Sequence, residues 1–291
     1  MFGPFNFGGL TEEFSRLDTS KVVILPVPYD QTVSFRSGAR EGPRAIINAS
    51  AYMELYDEEL LSEFYKVGIH TLNELEPDMS GPEGMVRRVY DIVTLLIKKG
   101  KLLVMLGGEH SLTIGSVKAF IEEYKDLSVL QLDAHADLRD SYCETKYNHA
   151  TVMRRILEYS STVQVGMRSI SSEEMELIHE KKLPVFFETD LIKSEDLIDE
   201  IISHLSPNVY ITVDLDVLDP AIMPSVGTPE PGGLSWHGIL SIVREVAKKR
   251  NIVGFDVMEL CPIPGLLAPD FLAAKLVYKM LGYSLFFQGK D

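Results

Sequence analysis

The sequence predicts an α/β fold built on a parallel sheet covered by helices on both faces. Three observations lead there. Short apolar runs alternate along the chain with stretches of helical period. A hydrophobic content of 45% over 291 residues supplies a substantial core. The side chains best suited to chemistry follow the ends of separate apolar runs. Open parallel sheets bind ligands beyond the carboxyl ends of their strands, and a TIM barrel places its site likewise, so both architectures satisfy the pattern at this point.

The elements follow in order. Residues 21–28 form a first apolar strand, and Gly42-Pro43 opens a helix over 43–50, since proline suits a first helical turn that needs no N–H there. Helical periodicity over 83–99 leads into a strand at 101–106, and a helix over 112–124 leads into a strand at 127–132. A helix after His149 precedes a strand at 162–167, a helix near 172–181 precedes a strand at 184–187, and a helix near 194–204 precedes a strand at 209–214. A helix over 235–249, a strand at 252–257 and a helix over 270–281 close the chain.

Pro and Gly are dispersed, and neither a linker nor a repeat divides the chain, so residues 1–291 are expected to form a single domain. A net charge of −15 argues against nucleic acid or an anionic membrane as a partner and is compatible with a cationic substrate. The longest apolar stretches fall short of a membrane span, and residues 1–9 lack the pattern of a secretory signal. Cys143 and Cys261 form no disulfide framework, so a reduced, cytoplasmic protein is expected.

The most telling run is Leu130-Gln131-Leu132-Asp133-Ala134-His135-Ala136-Asp137. In extended backbone alternate side chains share a face, which puts Asp133, His135 and Asp137 on one side. Residues 209–216 repeat the device with Asp214 and Asp216, and His110 follows Gly107-Gly108-Glu109 at another strand end. Oxygen-rich sets with a minority of nitrogen ligands suit hard to borderline divalent cations. So many carboxylates crowd a single ion, and two ions sharing carboxylates fit better. Manganese accepts this mixture best, although the affinity order also admits iron, cobalt, nickel or zinc.

Blander readings compete at each position. An isolated Asp-x-His-x-Asp reads equally as a solvated strand end, and only its combination with His110, Asp214 and Asp216 turns it into a metal site. Gly107-Gly108 lacks the Lys-Ser or Lys-Thr of a phosphate loop and is read as letting the backbone pass close to the metals. Asp219 shapes the turn before Pro220. His70, His179, His204 and His237 have no convergent partners in sequence and read as surface or packing residues. Arg40 and Arg44 are read as pairing with acids, at a subunit contact or near the site.

Taken together, 38–44, Gly107-Gly108-Glu109-His110-Ser111, 133–137, 214–220, Gly227-Thr228-Pro229 and Asp256-Val257-Met258-Glu259 resemble the arginase and agmatinase family, the ureohydrolases, over nearly the whole chain. The resemblance implies a three-layer α/β/α sandwich with a mainly parallel eight-stranded sheet. It implies one manganese on His110, Asp133, Asp137 and Asp214 and a second on Asp133, His135, Asp214 and Asp216, with Asp133 and Asp214 bridging. It also implies a homo-oligomer, a trimer or hexamer.

The chemistry so implied is attack of a metal-bridging hydroxide on a guanidinium carbon, releasing urea and an amine. Glu259 would bind and orient the guanidinium, Asp137 would move a proton to the leaving amine, and His149 would assist substrate binding or proton exchange. Two divalent ions, four carboxylates and a hydroxide sum to about −1, which favours a small cationic guanidine. The segments 138–148 and 164–169 look more like agmatinases than arginases, making agmatine, cleaved to urea and putrescine, the first expectation. N1-aminopropylagmatine is the nearest rival, followed by guanidinobutyrate and arginine. Ala150, Arg139 and Lys146 depart from the pattern. A noncatalytic metal-binding relative and an amide hydrolase are the readings of other kinds. The filled ligand positions weigh against the first and Glu259 against the second.

Overall fold

The computed structural model describes residues 4–191 and 197–288. Its strands are β1 (Val22–Val27), β2 (Ile69–Thr71), β3 (Leu102–Gly107), β4 (Leu127–Leu132), β5 (Ser161–Met167), β6 (Val185–Phe187), β7 (Asn208–Asp214) and β8 (Asn251–Met258). They form one eight-stranded sheet in the order β2-β1-β3-β8-β7-β4-β5-β6, with every pairing parallel. The sheet is open, with β2 and β6 at its edges, which decides against the barrel.

Strand alternation builds two cores, one on each face. All of β1 is buried; Val22 and Ile24 join one apolar cluster, while Val23, Leu25 and Val27 join the other. The first cluster holds the apolar sides of helices Gly42–Ser50, Trp236–Lys249 and Ala268–Phe287; the second holds those of Pro82–Ile97, Thr113–Glu123 and Val152–Ile156. Each fully buried aliphatic side chain contributes about 1.5–3 kcal/mol relative to exposure. The result is the three-layer α/β/α sandwich.

Local signals set several boundaries. Helix Ser172–Lys181 starts at a reciprocal cap in which Ser171 Oγ accepts from Glu174 N and Glu174 Oε2 accepts from Ser171 N, and it ends at Lys182 in left-handed backbone. The same Glu174 accepts the Leu138 N–H at 2.9 Å, tying this helix to the chain just beyond Asp137. The predicted helix near 194–204 is seen as Leu197–Ser203; its first residues, 194–196, lie outside the described residues. The last helix runs over Ala268–Phe287, longer than predicted at both ends. Strand β2 has only three residues, too few to show a period, and its pairing with β1 is what defines it.

Among the described residues, no helix is long and apolar enough to cross a membrane. Cys143 is exposed and Cys261 buried, and both are free thiols. Arg40 pairs with buried Asp30, and Arg44 makes a two-pronged pair with Glu74 at 3.0 and 2.8 Å, so both arginines find acids within this chain. Asp219 Oδ1 accepts the Ala221 N–H at 2.8 Å, closing the turn around Pro220.

Candidate metal centre

Strands β3, β8, β7 and β4 are consecutive neighbours at the centre of the sheet. The chain leaving their carboxyl ends places His110, Glu259, Asp214 with Asp216, and His135 with Asp137 around one cavity of about 160 Å³. Asp133 is wholly buried among them.

The strands do not hold the ligands by alternation, as the sequence led us to expect. β4 ends at Leu132, and Asp137 has φ +53°, so the chain over 133–137 curls instead of running extended. Asp133 Oδ1 accepts the His135 N–H at 2.6 Å, and Asp216 Oδ1 accepts the Ala134 N–H at 3.0 Å. Beyond β7 the chain turns into a short 3-10 helix, Leu215–Val217, and Asp214 Oδ1 accepts the Asp216 N–H at 3.0 Å. Carboxylates capping the backbone thus set the curl.

His110 Nδ1 faces Asp133 Oδ2 at 3.1 Å, Asp137 Oδ2 at 3.2 Å and Asp214 Oδ2 at 3.4 Å. It is buried and makes no hydrogen bond, while Nε2 shares a 2.8 Å bond with Thr212 Oγ1. His135 Nδ1 lies 2.8 Å from Asp216 Oδ2 and 3.6 Å from Asp133 Oδ1. Two donor sets, His110 with Asp133 and Asp137, and Asp133 with His135 and Asp216, each draw their atoms within 4.8 Å of one another and share Asp133. A buried, unbonded imidazole nitrogen turned toward three carboxylates fits a divalent cation.

The electrostatics agree. Burial, with Asp133 beside it, pushes Asp137 up to about 7. Burial, Asp216 and Asp133 push Asp214 well above the carboxylate range. Burial opposes charge on His135, yet Asp216 and Asp133 lift it to about 12. Such crowding of negative charge calls for a positive partner.

Glu259 directly follows β8, with φ +64°. Its Oε1 accepts the His110 N–H at 2.6 Å, and its own N–H donates to Gly108 O at 2.9 Å. Left-handed backbone is uncommon outside glycine, and its occurrence at both Asp137 and Glu259 marks the site as one that holds strain. His149 opens a capped turn; its Nδ1 is 3.4 Å from Thr32 Oγ1 and its Nε2 is 3.3 Å from Ser34 Oγ. Burial lowers its pKa to about 4, so this imidazole is neutral near pH 7.

All the sequence-predicted site residues therefore converge. The segment 31–37, which carries no motif, brings Ser34, Phe35 and Arg36 to the cavity, and Glu109, which had no role of its own in the motif Gly107-Gly108-Glu109-His110-Ser111, is buried and bonded to Thr32. Glu230, in no quoted motif, lies 3.7 Å from His135 Nε2, and Arg168, within the agmatinase-like segment 164–169, binds the carbonyls of Asp216 and Glu230 at 2.6 and 3.0 Å. No local period marks these residues; an acid directly before a metal-type histidine was the available signal for Glu109. Arg139 does line the cavity, with its guanidinium 5.2 Å from the Tyr142 ring. Gly107 and Gly108 are also needed for packing within the protein: a β-carbon on Gly107 would strike Met258, and one on Gly108 would strike the Tyr29 backbone.

Fold and site together define an open parallel sheet with two adjoining His/Asp clusters that could hold metal at its carboxyl edge, and the chain belongs to the arginase family, whose model matches residues 20–282. It is thus a hydrolase of the ureohydrolase class. The chain is 39% identical over 282 residues to an N(1)-aminopropylagmatine ureohydrolase of Synechocystis, covering 94% of this chain and 92% of that protein. It is 38% identical to an N(1)-aminopropylagmatine ureohydrolase of Thermus thermophilus, covering 93% and 92%. The crystal structure of the agmatine ureohydrolase of Thermoplasma volcanium superposes with a TM-score of 0.88 at 32% identity, covering 99% of this chain and 96% of that one.

Proposed function

We propose that this protein hydrolyses the guanidinium group of an agmatine-type amine, releasing urea, with N1-aminopropylagmatine as the preferred substrate and agmatine second. The carrying observation is the convergence of Glu259 and the shared Asp133 cluster on one cavity. The names of the Synechocystis and Thermus relatives support the aminopropyl compound and reverse the order expected from the sequence, while similarity to the Thermoplasma enzyme supports agmatine.

His110, Asp133, Asp137 and Asp214 would hold one divalent cation, and Asp133, His135, Asp214 and Asp216 a second, manganese first among candidates. When bound, such ions supply Lewis acidity and lower the pKa of water from ~16 toward ~7. The chain's own residues do the rest. Glu259 receives the guanidinium and holds its carbon toward the Asp133 cluster, with Oε1 fixed by the His110 N–H. Water oxygen bonds to the guanidinium carbon, and the bond from that carbon to the substituted nitrogen breaks. Asp137 carries one of the water's two protons to that nitrogen, which leaves as the amine, and the second passes from the new C–OH to the amine, giving neutral urea and an ammonium. N1-aminopropylagmatine would yield urea and spermidine, and agmatine urea and putrescine, which places the reaction in polyamine biosynthesis.

The test loads the protein with manganese and compares kcat/KM for urea release from N1-aminopropylagmatine, agmatine, guanidinobutyrate and arginine. A higher value for the aminopropyl compound supports the first reading, and one for agmatine supports the second. Preference for guanidinobutyrate or arginine, or absence of urea from all four, refutes both. We also propose that the chain works as a cytoplasmic homo-oligomer, a trimer or hexamer, for which light scattering giving a mass near 32.6 kDa would be the contrary result.

A further inference from the structure

The segment 31–37 is held to the site by one buried carboxylate. Glu109 Oε2 accepts the Thr32 N–H at 2.6 Å, and its Oε1 accepts the Thr32 hydroxyl at 2.7 Å as well as the Ser111 hydroxyl. Thr32 in turn touches His149 twice: its Oγ1 accepts the His149 N–H at 3.1 Å and lies 3.4 Å from Nδ1. Asn148 Nδ2 reaches Thr32 O at 3.4 Å, and Tyr142 stands edge-on to the imidazole with ring centroids 6.0 Å apart.

Counting protons fixes the directions. Burial raises the Glu109 carboxyl above its ordinary value, and the hydrogen bonds from Ser111 and Thr32 favour its charged form; as a carboxylate Glu109 only accepts, so the single Thr32 hydroxyl proton goes to it. Thr32 Oγ1 then faces His149 with lone pairs only. Its bond to Nδ1 requires the proton to sit on Nδ1, which leaves Nε2 as the unprotonated nitrogen. Ser34 Oγ, 3.3 Å from Nε2, has a hydroxyl proton to donate to it, and both Ser34 and His149 line the cavity.

We infer that Glu109 and Thr32 form a positioning relay that locks His149 in its Nδ1–H tautomer and presents Nε2 to the cavity as a proton acceptor. The inference rests on the ureohydrolase reading only for its kinetic consequence. Under that reading the exposed Ser34 hydroxyl gives way, and the one lone pair of Nε2 accepts a hydrogen bond from the substrate's nitrogen or takes up a proton as products separate. Glu109, next to His110 in the chain, thereby couples the order of the segment 31–37 to the metal-binding turn. A histidine free to exchange tautomers would offer Nε2–H for part of the time and repel the same donors.

Thr32→Val keeps the shape and removes the hydroxyl, and Thr32→Ser keeps the hydroxyl. Nitrogen-15 NMR of the metal-free full chain near pH 7, with His149 signals assigned by their loss in His149→Asn, reads the tautomer directly. The expected result is a protonated Nδ1 and bare Nε2 in wild type and Thr32→Ser, and a mixture or the opposite tautomer in Thr32→Val. In the manganese-loaded enzymes kcat should fall roughly tenfold or more in Thr32→Val and be restored by Thr32→Ser, with metal content unchanged. An Nε2–H tautomer in wild type, or a Thr32→Val enzyme with unaltered tautomer or kcat, overturns the relay. Absence of urea from every wild-type assay refutes the proposed function, while the NMR result still decides the tautomer.

Discussion

Gly108→Ala tests whether the site depends on the close passage of two strand ends. A β-carbon at this position would lie 1.8 Å from the Tyr29 carbonyl oxygen and 2.7 and 2.8 Å from Tyr29 C and N. A tolerable carbon–oxygen contact is roughly 3.3 Å, so the two segments must part by about 1.5 Å. Neither is free to do so: Gly108 N donates to Val27 O at 3.0 Å, and Glu109 N donates to Tyr29 O at 2.8 Å. Overpacking commonly costs about 1–3 kcal/mol, and an obstacle made of backbone puts this case at the upper end, about 3 kcal/mol. At about 2–4 °C per kcal/mol, Tm should fall by about 6 °C or more. Gly108 O also receives the Glu259 N–H at 2.9 Å, so the displacement reaches Glu259 and His110 together. A misplacement of about 1 Å can cost about 100-fold in rate, and a kcat/KM loss of that order is expected. Thermal unfolding and urea release would be measured beside Gly238→Ala, where the new β-carbon meets Ser235 Oγ at 3.4 Å and Leu234 Cβ at 3.9 Å, both ordinary contacts, and stability should stay within about 1 kcal/mol of wild type. A Gly108→Ala protein that matches wild type in both Tm and kcat/KM would refute the reasoning.

Asp133→Ala or Asp214→Ala should lose the proposed metal site and nearly all turnover, whereas Glu259→Gln should keep its metal content and weaken turnover; elemental analysis beside kinetics separates them, and normal turnover in Glu259→Gln would remove its assigned role. Manganese at about 100 times its dissociation constant should stabilise the fold by about 2.7 kcal/mol per independent site, and a chelator should reverse this; a Tm indifferent to both would argue against the site. Lys279, buried in the last helix, meets Asp57 at 3.1 Å, Glu58 at 3.0 Å and Glu59 at 3.3 Å. Lys279→Met should therefore destabilise by about 3–5 kcal/mol, because Asp57 is left buried without its cation. Hydrogen bonds depress the Glu58 carboxyl, that within its own residue foremost and that from Lys279 next. For Glu59, burial opposes ionisation, but Tyr283, Arg244 and Lys279 outweigh it and depress its pKa too. A carboxyl depressed on folding contributes stability above its unfolded pKa that is lost as pH falls through the lower folded value. Unfolding midpoints taken from pH 6 downward should thus fall more steeply in wild type than in Lys279→Met, and parallel curves would contradict this.

The sequence by itself determined the alternation of strands and helices, because periods of two and of 3.6 residues are local consequences of backbone geometry. It determined the ends of helix Ser172–Lys181, whose cap and left-handed terminus lie within a few residues of each other. It also supplied the candidate ligands, since His110, Asp133, His135, Asp137, Asp214 and Asp216 all follow apolar runs. What it did not contain was the order of strands in space. That β3, β8, β7 and β4 lie side by side depends on crossovers between segments far apart in the chain, and only their packing brings the strand ends to one cavity. The short β2, the Glu109–Thr32–His149 contacts and the arginine pairs are likewise long-range matters of pairing and burial, with no local period to announce them. Even the turn over 133–137 owed its shape to tertiary structure: the sequence suggested an extended run, but a carboxylate from beyond β7 caps its backbone and a helix-start glutamate holds the chain after it, so the ligands converge by a curl.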